Sequence, residues 1–167
     1  MENKIIQISV ATLEDYEAIS AIYNESIAAG KATMETSLKS VSDIAEWVRK
    51  FNDRERLYIV KKRLKRVAWA NIKRYSNREG YRFTGETALY ITKNETGKGY
   101  GKIINNFLIE NCKKLNYKHI VAKIWAENST SISLFEKMGY TIVGTQNKIG
   151  LINGEWKDVV IMQYLIE

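Results

Sequence analysis

The sequence predicts an α+β fold built around a mixed β-sheet, and three observations carry that prediction. Short β-rich runs are interleaved with segments of helical periodicity. The last two β-rich runs instead flank the turn dipeptide Asn153-Gly154. The chain has no proline, so its 10 glycines are the main punctuation between elements. At 167 residues and 45% hydrophobic content it has the size of one domain, residues 1–167, with one substantial core.

Taken in order, Ile5 to Val10 reads as a strand. Thr12 and Asp15 form a capping box that opens a helix whose apolar face is Leu13, Tyr16, Ile19, Ile22, Tyr23 and Ile27, ending at Gly30. The Ser/Thr-rich segment Thr33 to Ser40 reads as a loop. Val41 to Phe51 is a second helix, with Val41, Ile44, Trp47, Val48 and Phe51 at helical spacing. Leu57 to Val60 and Val67 to Ile72 are strands around a basic turn that lacks the glycine a tight hairpin favours. A polar loop from Lys73 to Phe83 precedes a strand from Thr84 to Thr92. Ile103, Ile104, Phe107, Leu108, Cys112 and Leu115 mark a helix packed on a sheet, which makes Cys112 a core residue rather than a nucleophile. His119 to Ala126 is β-rich, Glu127-Asn128-Ser129 starts a helix, and Gly139 ends it after Phe135 and Met138. Tyr140 to Val143 and Val159 to Tyr164 complete the sheet.

A net charge of +7 favours an anionic partner, whether a nucleic acid, an acidic membrane surface or a polyphosphate cofactor. The one basic cluster, Lys61-Lys62-Arg63 with Lys65-Arg66, reads as a solvated hairpin turn. As a nucleic-acid module it would give steeply salt-dependent binding, but few aromatics accompany it. One cysteine and one histidine exclude an intrachain disulfide and a zinc set, so no metal is expected. Met1-Glu2-Asn3-Lys4 leads into only a short apolar run, and no stretch approaches the roughly 20 apolar residues of a membrane span. A soluble cytoplasmic protein, with neither nucleic acid nor membrane as partner, is the expectation.

Between a strand and a helix lies Thr96-Gly97-Lys98-Gly99-Tyr100-Gly101-Lys102. Glycines at alternate positions free the backbone to turn its N–H groups toward one ligand, and the helix dipole and two lysines favour an anion there. A tight strand-to-helix turn would need the same glycines. The spacing of a P-loop is absent, as is the context of a dinucleotide-binding fingerprint.

Leu89-Tyr90-Ile91 followed by that loop resembles the strand and pyrophosphate loop of the GNAT acetyltransferases. Ala126-Glu127-Asn128-Ser129-Thr130-Ser131-Ile132 and Phe135-Glu136-Lys137-Met138-Gly139-Tyr140 resemble the superfamily's second cofactor segment. Ala21 to Ile27, Tyr81 to Glu86 and Trp156 to Met162 are similar to the phosphinothricin and methionine sulfoximine acetyltransferase branch, so the likeness covers nearly the whole chain. The resemblance implies the GNAT fold, a curved mixed sheet with splayed central strands, and acetyl-CoA as co-substrate. It implies cofactor contacts at Leu89, Tyr90, Ile91, Gly97, Lys98, Gly99, Tyr100, Gly101, Lys102 and Asn128. Backbone groups of Leu89 and Ile91 would pair with pantetheine as an added strand. Asn128 is equally well placed as a helix N-cap.

By the same resemblance, the reaction is attack of a small amino-acid-like amine on the thioester. An α-amino group has a pKa of roughly 8 and must lose a proton first. Glu86 stands where the family carries its glutamate and is the candidate base, directly or through water. A strand N–H near Ile91 would hold the oxyanion. Arg74, Tyr75, Arg78, Tyr81 and Arg82 are candidate substrate contacts, where guanidinium groups could hold an oxoanion or simply remain solvated. Two positions depart from the family pattern. Thr96 replaces the usual Arg or Gln, and Phe135 replaces a proton-donating Tyr or His, leaving water, a residue such as Tyr140, or an unassisted thiolate to finish the step. That second departure keeps open an acetyl-CoA-binding regulator without robust catalysis. Exposed edge strands and family precedent suggest a homodimer.

Overall fold

Buried side chains, apolar except for Asn71, run without alternation through Leu57–Val60 and Val67–Ile72 because both faces of those strands are covered. A computed structural model describes residues 5–167, so the reading of Met1 to Lys4 lies outside the described residues. Strand β1 (Ile6–Val10) leads through a 3-10 turn, Leu13–Asp15, into helix α1 (Tyr16–Ala29), followed by α2 (Val41–Arg49). Strands β2 (Arg56–Lys62), β3 (Lys65–Arg74) and β4 (Thr84–Ile91) precede α3 (Tyr100–Lys114). The chain closes with β5 (His119–Trp125), α4 (Ser129–Lys137), β6 (Thr141–Ile152) and β7 (Glu155–Leu165).

The seven strands form one sheet in the order β1-β2-β3-β4-β5-β7-β6. Every neighbouring pair is antiparallel except β4 and β5. That parallel pairing lasts for only Thr84↔His119, Gly85↔Ile120 and Glu86↔Val121. Beyond Glu86 the strands part, β4 continuing beside β3 to Ile91 and β5 beside β7 to Trp125. The mixed, splayed sheet expected from the sequence is therefore present, forked at its centre.

Two cores sandwich the sheet. On one face Ile104, Leu108 and Cys112 of α3 pack on Tyr58, Val60, Ala68, Ala70 and Ile120. On the other, Ile19, Tyr23 and Ile27 of α1 and Ile44 of α2 pack on Leu57, Ile59 and Trp69. The period-two alternation of β2 sends Leu57 and Ile59 one way and Tyr58 and Val60 the other. Cys112 is fully buried, and that burial pushes its thiol up to about 12, the behaviour of a core residue.

Several boundaries differ from the sequence reading for physical reasons. The Thr12–Asp15 box forms, with the Thr12 N–H donating to Asp15 Oδ2 at 2.9 Å, but it opens the 3-10 turn. Leu13 consequently lies 78% exposed, off the apolar face. The β2–β3 hairpin turns without glycine because Arg63 accepts a φ of 54°. Strand β6 is far longer than Tyr140 to Val143. It lies at the sheet's edge with most side chains exposed, so polar residues interrupt its apolar pattern. The turn into β7 is Asn153-Gly154, both at positive φ as a type I′ hairpin requires.

Candidate active site

Strands that part inside a sheet leave backbone groups without a strand partner, and in this protein they border a cavity. It measures about 720 Å³ and is lined by Thr87 to Tyr90 of β4, Ala122 to Trp125 of β5, and Asn128, Ser131 and Phe135 of the following segment. Residues 87–91 of β4 have no strand partner on the β5 side. An extended ligand carrying amides could pair with them as an added strand. Of the predicted cofactor residues, Leu89, Tyr90 and Asn128 line this cavity, whereas Ile91 packs against the α3 core.

The glycine loop lies outside the cavity's lining and leads directly into α3. Gly97 and Gly99 have φ of 74° and 83°, and a Cβ at either would meet open space. Glycine is needed there for backbone conformation rather than for lack of room. Gly99 is the N-cap of α3, so the free N–H groups of the first turn, Tyr100-Gly101-Lys102, face outward to the loop. Lys98 Nζ lies 3.1 Å from Glu95 Oε2, which Lys62 also approaches at 3.2 Å while standing 5.8 Å above the Tyr100 ring. Tyr100 and Glu95 together hold the Lys62 ammonium above its usual range. Thr96 donates its hydroxyl to the Lys93 carbonyl, closing the preceding turn. Asn128 caps α4, its Oδ1 accepting from the Ser131 N–H at 3.2 Å, while lining the larger cavity. Both sequence readings of this residue are thus compatible.

A second cavity of about 400 Å³ opens on the α1/α2 side of β4. Its walls are aromatic, Tyr23, Trp47, Trp69 and Tyr90, and its polar groups are Glu35, Asn71, Lys73, Arg74 and Glu86. Ala88 and Tyr90 line both cavities, so the two meet along β4. Burial drives the Tyr90 and Tyr23 hydroxyls above the normal phenol range. Tyr90 donates to the Ala32 carbonyl at 3.3 Å, and Tyr23 shares a 2.8 Å hydrogen bond with Thr33.

Glu86 lines the second cavity at the last paired rung of the fork. Its Oε2 lies 3.2 Å from Lys123 Nζ of β5. Lys123 is the lone charge in the run Ile120 to Trp125 and was not singled out from the sequence, although that interruption is its signal. Arg74 and Tyr75 line the second cavity, and also a neighbouring one of about 310 Å³. The Arg74 guanidinium is 3.6 Å from the buried Glu55, which also accepts from the Arg74 N–H. Arg78, Tyr81 and Arg82 stand outside the lining of both cavities. Tyr81 packs edge-on to Tyr75 at 5.4 Å, and Arg82 lies over Phe83. Tyr23, Glu35, Trp47, Trp69 and Asn71 carry no local signal of a site, since helical periodicity assigns Tyr23 and Trp47, and an apolar strand assigns Trp69, to the core.

Phe135 lines the larger cavity and touches Tyr140, their ring centroids 4.9 Å apart. Tyr140 itself is 3% exposed, donates to Asn105 Oδ1, and does not line the cavity. Burial raises its hydroxyl well above the phenol range. The basic cluster is partly paired: Arg66 and Lys61 lie 2.7 and 3.5 Å from the buried Asp15, Lys62 pairs with Glu95, and Arg63 and Lys65 at the turn are exposed. Among the described residues no helix is long and apolar enough to cross a membrane.

Residues 8–161 match the acetyltransferase (GNAT) domain family. A phosphinothricin N-acetyltransferase of Alcaligenes faecalis is 28% identical over 158 residues, covering 93% of this chain and 80% of the relative. An L-methionine sulfoximine/L-methionine sulfone acetyltransferase of Pseudomonas aeruginosa is 34% identical over 85 residues, 51% of this chain and 49% of its own. Among solved structures, a GNAT superfamily phosphinothricin acetyltransferase from Sinorhizobium meliloti in complex with acetyl-CoA superposes with a TM-score of 0.91 at 26% identity, covering 97% of this chain and 89% of that one.

Proposed function

The chain belongs to the GNAT acetyltransferase family, and from that premise we propose that it acetylates the amine of a small amino-acid-like substrate of the phosphinothricin or methionine sulfoximine type. Acetyl-CoA is the co-substrate. The observation that carries the reading is the meeting of two cavities along β4, with Glu86 at the fork between them. Acetyl-CoA supplies an activated thioester carbonyl; the chain's part is to hold it, orient the amine and move one proton.

The larger cavity takes the pantetheine arm, with β4 residues 87–91 supplying strand-like hydrogen bonds. The loop Gly97 to Lys102 and the start of α3 take the pyrophosphate. The second cavity takes the amine. Glu86 removes its ammonium proton, directly or through water, and the side chain's partial exposure leaves room for either route. Unpaired β4 N–H groups near the fork receive the developing oxyanion. Arg74 and Tyr75 contact the substrate, with Arg78, Tyr81 and Arg82 completing the loop around them. No dedicated acid is assigned to the departing thiolate, because Phe135 occupies that wall.

An edge strand with Ile142, Val143, Ile149 and Leu151 exposed supports a homodimer formed through β6. A single buried thiol supports a cytoplasmic location. The test of function is thiol release from acetyl-CoA with a panel of amino-acid analogues. Turnover should appear with at least one, and Glu86→Gln should reduce kcat by about 100-fold or more with CoA affinity intact. A wild type that binds CoA yet acetylates no amine would defeat the catalytic reading in favour of a regulator.

A further inference from the structure

Trp69 Nε1 is the single buried side-chain nitrogen or oxygen among the described residues that finds no hydrogen-bond partner. The residue is only 2% exposed. A buried indole N–H ordinarily has an acceptor, since a desolvated donor left unpaired is costly. Its ring is fixed on three sides, stacked on Tyr90 at 4.9 Å and meeting Tyr23 and Trp47 at 5.1 and 5.8 Å. The edge-to-face Tyr23 ring offers an N–H only a weak π contact, not a lone pair. This ring is also part of the wall of the second cavity.

We propose that Trp69 is a specificity-determining residue whose indole N–H donates to an oxo group on the acceptor substrate's side chain. The inference rests on the second cavity being the amine site.

The register gives the cavity two ends. Trp69 pairs with Tyr90, Asn71 with Ala88, and Lys73 with Glu86. The aromatic, desolvated end is therefore at Trp69, and the charged, more open end is at Lys73, Arg74 and Glu86. A carboxylate is strongly hydrated and finds a guanidinium or ammonium at the open end. The aromatic end carries a neutral donor, no cation and the nearby Glu35 carboxylate, so it suits an uncharged, weakly hydrated, polarised oxygen such as that of a sulfone or sulfoximine. A thioether of the same shape would fill the aromatic box but leave the indole N–H unmet, and a site with an unmet buried donor discriminates against such a ligand.

The probes are L-methionine sulfone and L-methionine, which share the backbone and differ in the two sulfone oxygens. Each is titrated calorimetrically into the protein saturated with CoA, so that no turnover occurs. The wild type should bind the sulfone more tightly than the thioether. Trp69→Phe keeps an aromatic ring and removes the N–H. It should weaken the sulfone roughly fivefold to tenfold and leave L-methionine within about twofold. Unaltered CoA affinity and circular dichroism establish that the variant is folded, and Trp69→Tyr, with a displaced hydroxyl donor, should recover part of the loss. Equal weakening of both ligands, no weakening of either, or a wild type that binds neither or prefers the thioether overturns the proposal. A wild type that binds the sulfone selectively yet acetylates nothing would remove the catalytic reading and leave the role of Trp69 standing.

Discussion

Lys123 and Glu86 meet at 3.2 Å across the parent strands β5 and β4 at the point where those strands separate. The pair spans the fork, so the lysine holds the candidate base from the opposite branch.

That geometry makes Lys123 a positioning residue. The two side chains are 47% and 32% exposed, and an ion pair so exposed contributes at most about 1 kcal/mol to stability. Lys123→Met should accordingly shift the urea midpoint little while lowering kcat severalfold, because the Glu86 carboxylate loses its anchor. Lys123 also lines the larger cavity, so CoA affinity is followed in the same variant to separate a binding loss from a kcat loss. Measuring kcat, CoA binding and unfolding together decides it, and a kcat equal to wild type would show that the pair is only a surface contact.

The glycine loop offers a cleaner separation of binding from chemistry. Gly99 sits at φ of 83° with open space where a Cβ would go, so Gly99→Ala adds conformational strain without a clash. The left-handed conformation costs an L-residue about 1–2 kcal/mol. If that strain is relieved by moving the loop, KM for acetyl-CoA should rise roughly tenfold while KM for the amine stays put. Steady-state kinetics with each substrate varied in turn tests this, and a defect confined to the amine would contradict the loop's assignment.

How much of this was legible beforehand follows chain distance. The glycine loop, Asn128 and the strand Leu89 to Ile91 are local signals, and each falls in the element the sequence indicated. Glu86 likewise falls on a cavity wall. The aromatic box could not be read, because Tyr23, Trp47 and Trp69 come from α1, α2 and β3 and look individually like core residues. The basic run Lys61 to Arg66 is the hairpin turn the sequence indicates, but the partners of Lys61, Lys62 and Arg66, which are Asp15 and Glu95, are distant in sequence and could not be read from it.

Asp15 predicts a pH dependence. Its side chain is 3% exposed, and burial alone would raise its pKa. The Thr12 N–H, Arg66 and Lys61 outweigh that and hold the carboxyl below its usual value. A depressed folded pKa stabilises the fold above the unfolded value of about 3.9, and that contribution is lost as pH falls through the folded pKa. Asp15→Asn should therefore destabilise at pH 7 by about 1–3 kcal/mol, with the difference from wild type shrinking below pH 4. Urea titrations at pH 7 and pH 3 measure both; a gap that widens in acid would refute the assignment.

Proton delivery to the departing thiolate is the last point the structure makes testable. Tyr140 is the nearest phenol to Phe135, but it is buried behind that ring, donates to Asn105, and has its ionisation suppressed by burial. Tyr140→Phe should cost about 1 kcal/mol of stability through the lost hydrogen bond and leave kcat within about twofold of wild type. Phe135→Tyr places a hydroxyl on the cavity wall itself. If protonation limits the rate, that variant should raise kcat, most visibly at high pH where solvent protons are scarce. A kcat loss in Tyr140→Phe larger than about tenfold, at unchanged CoA affinity, would instead assign the proton to Tyr140 through a movement of Phe135.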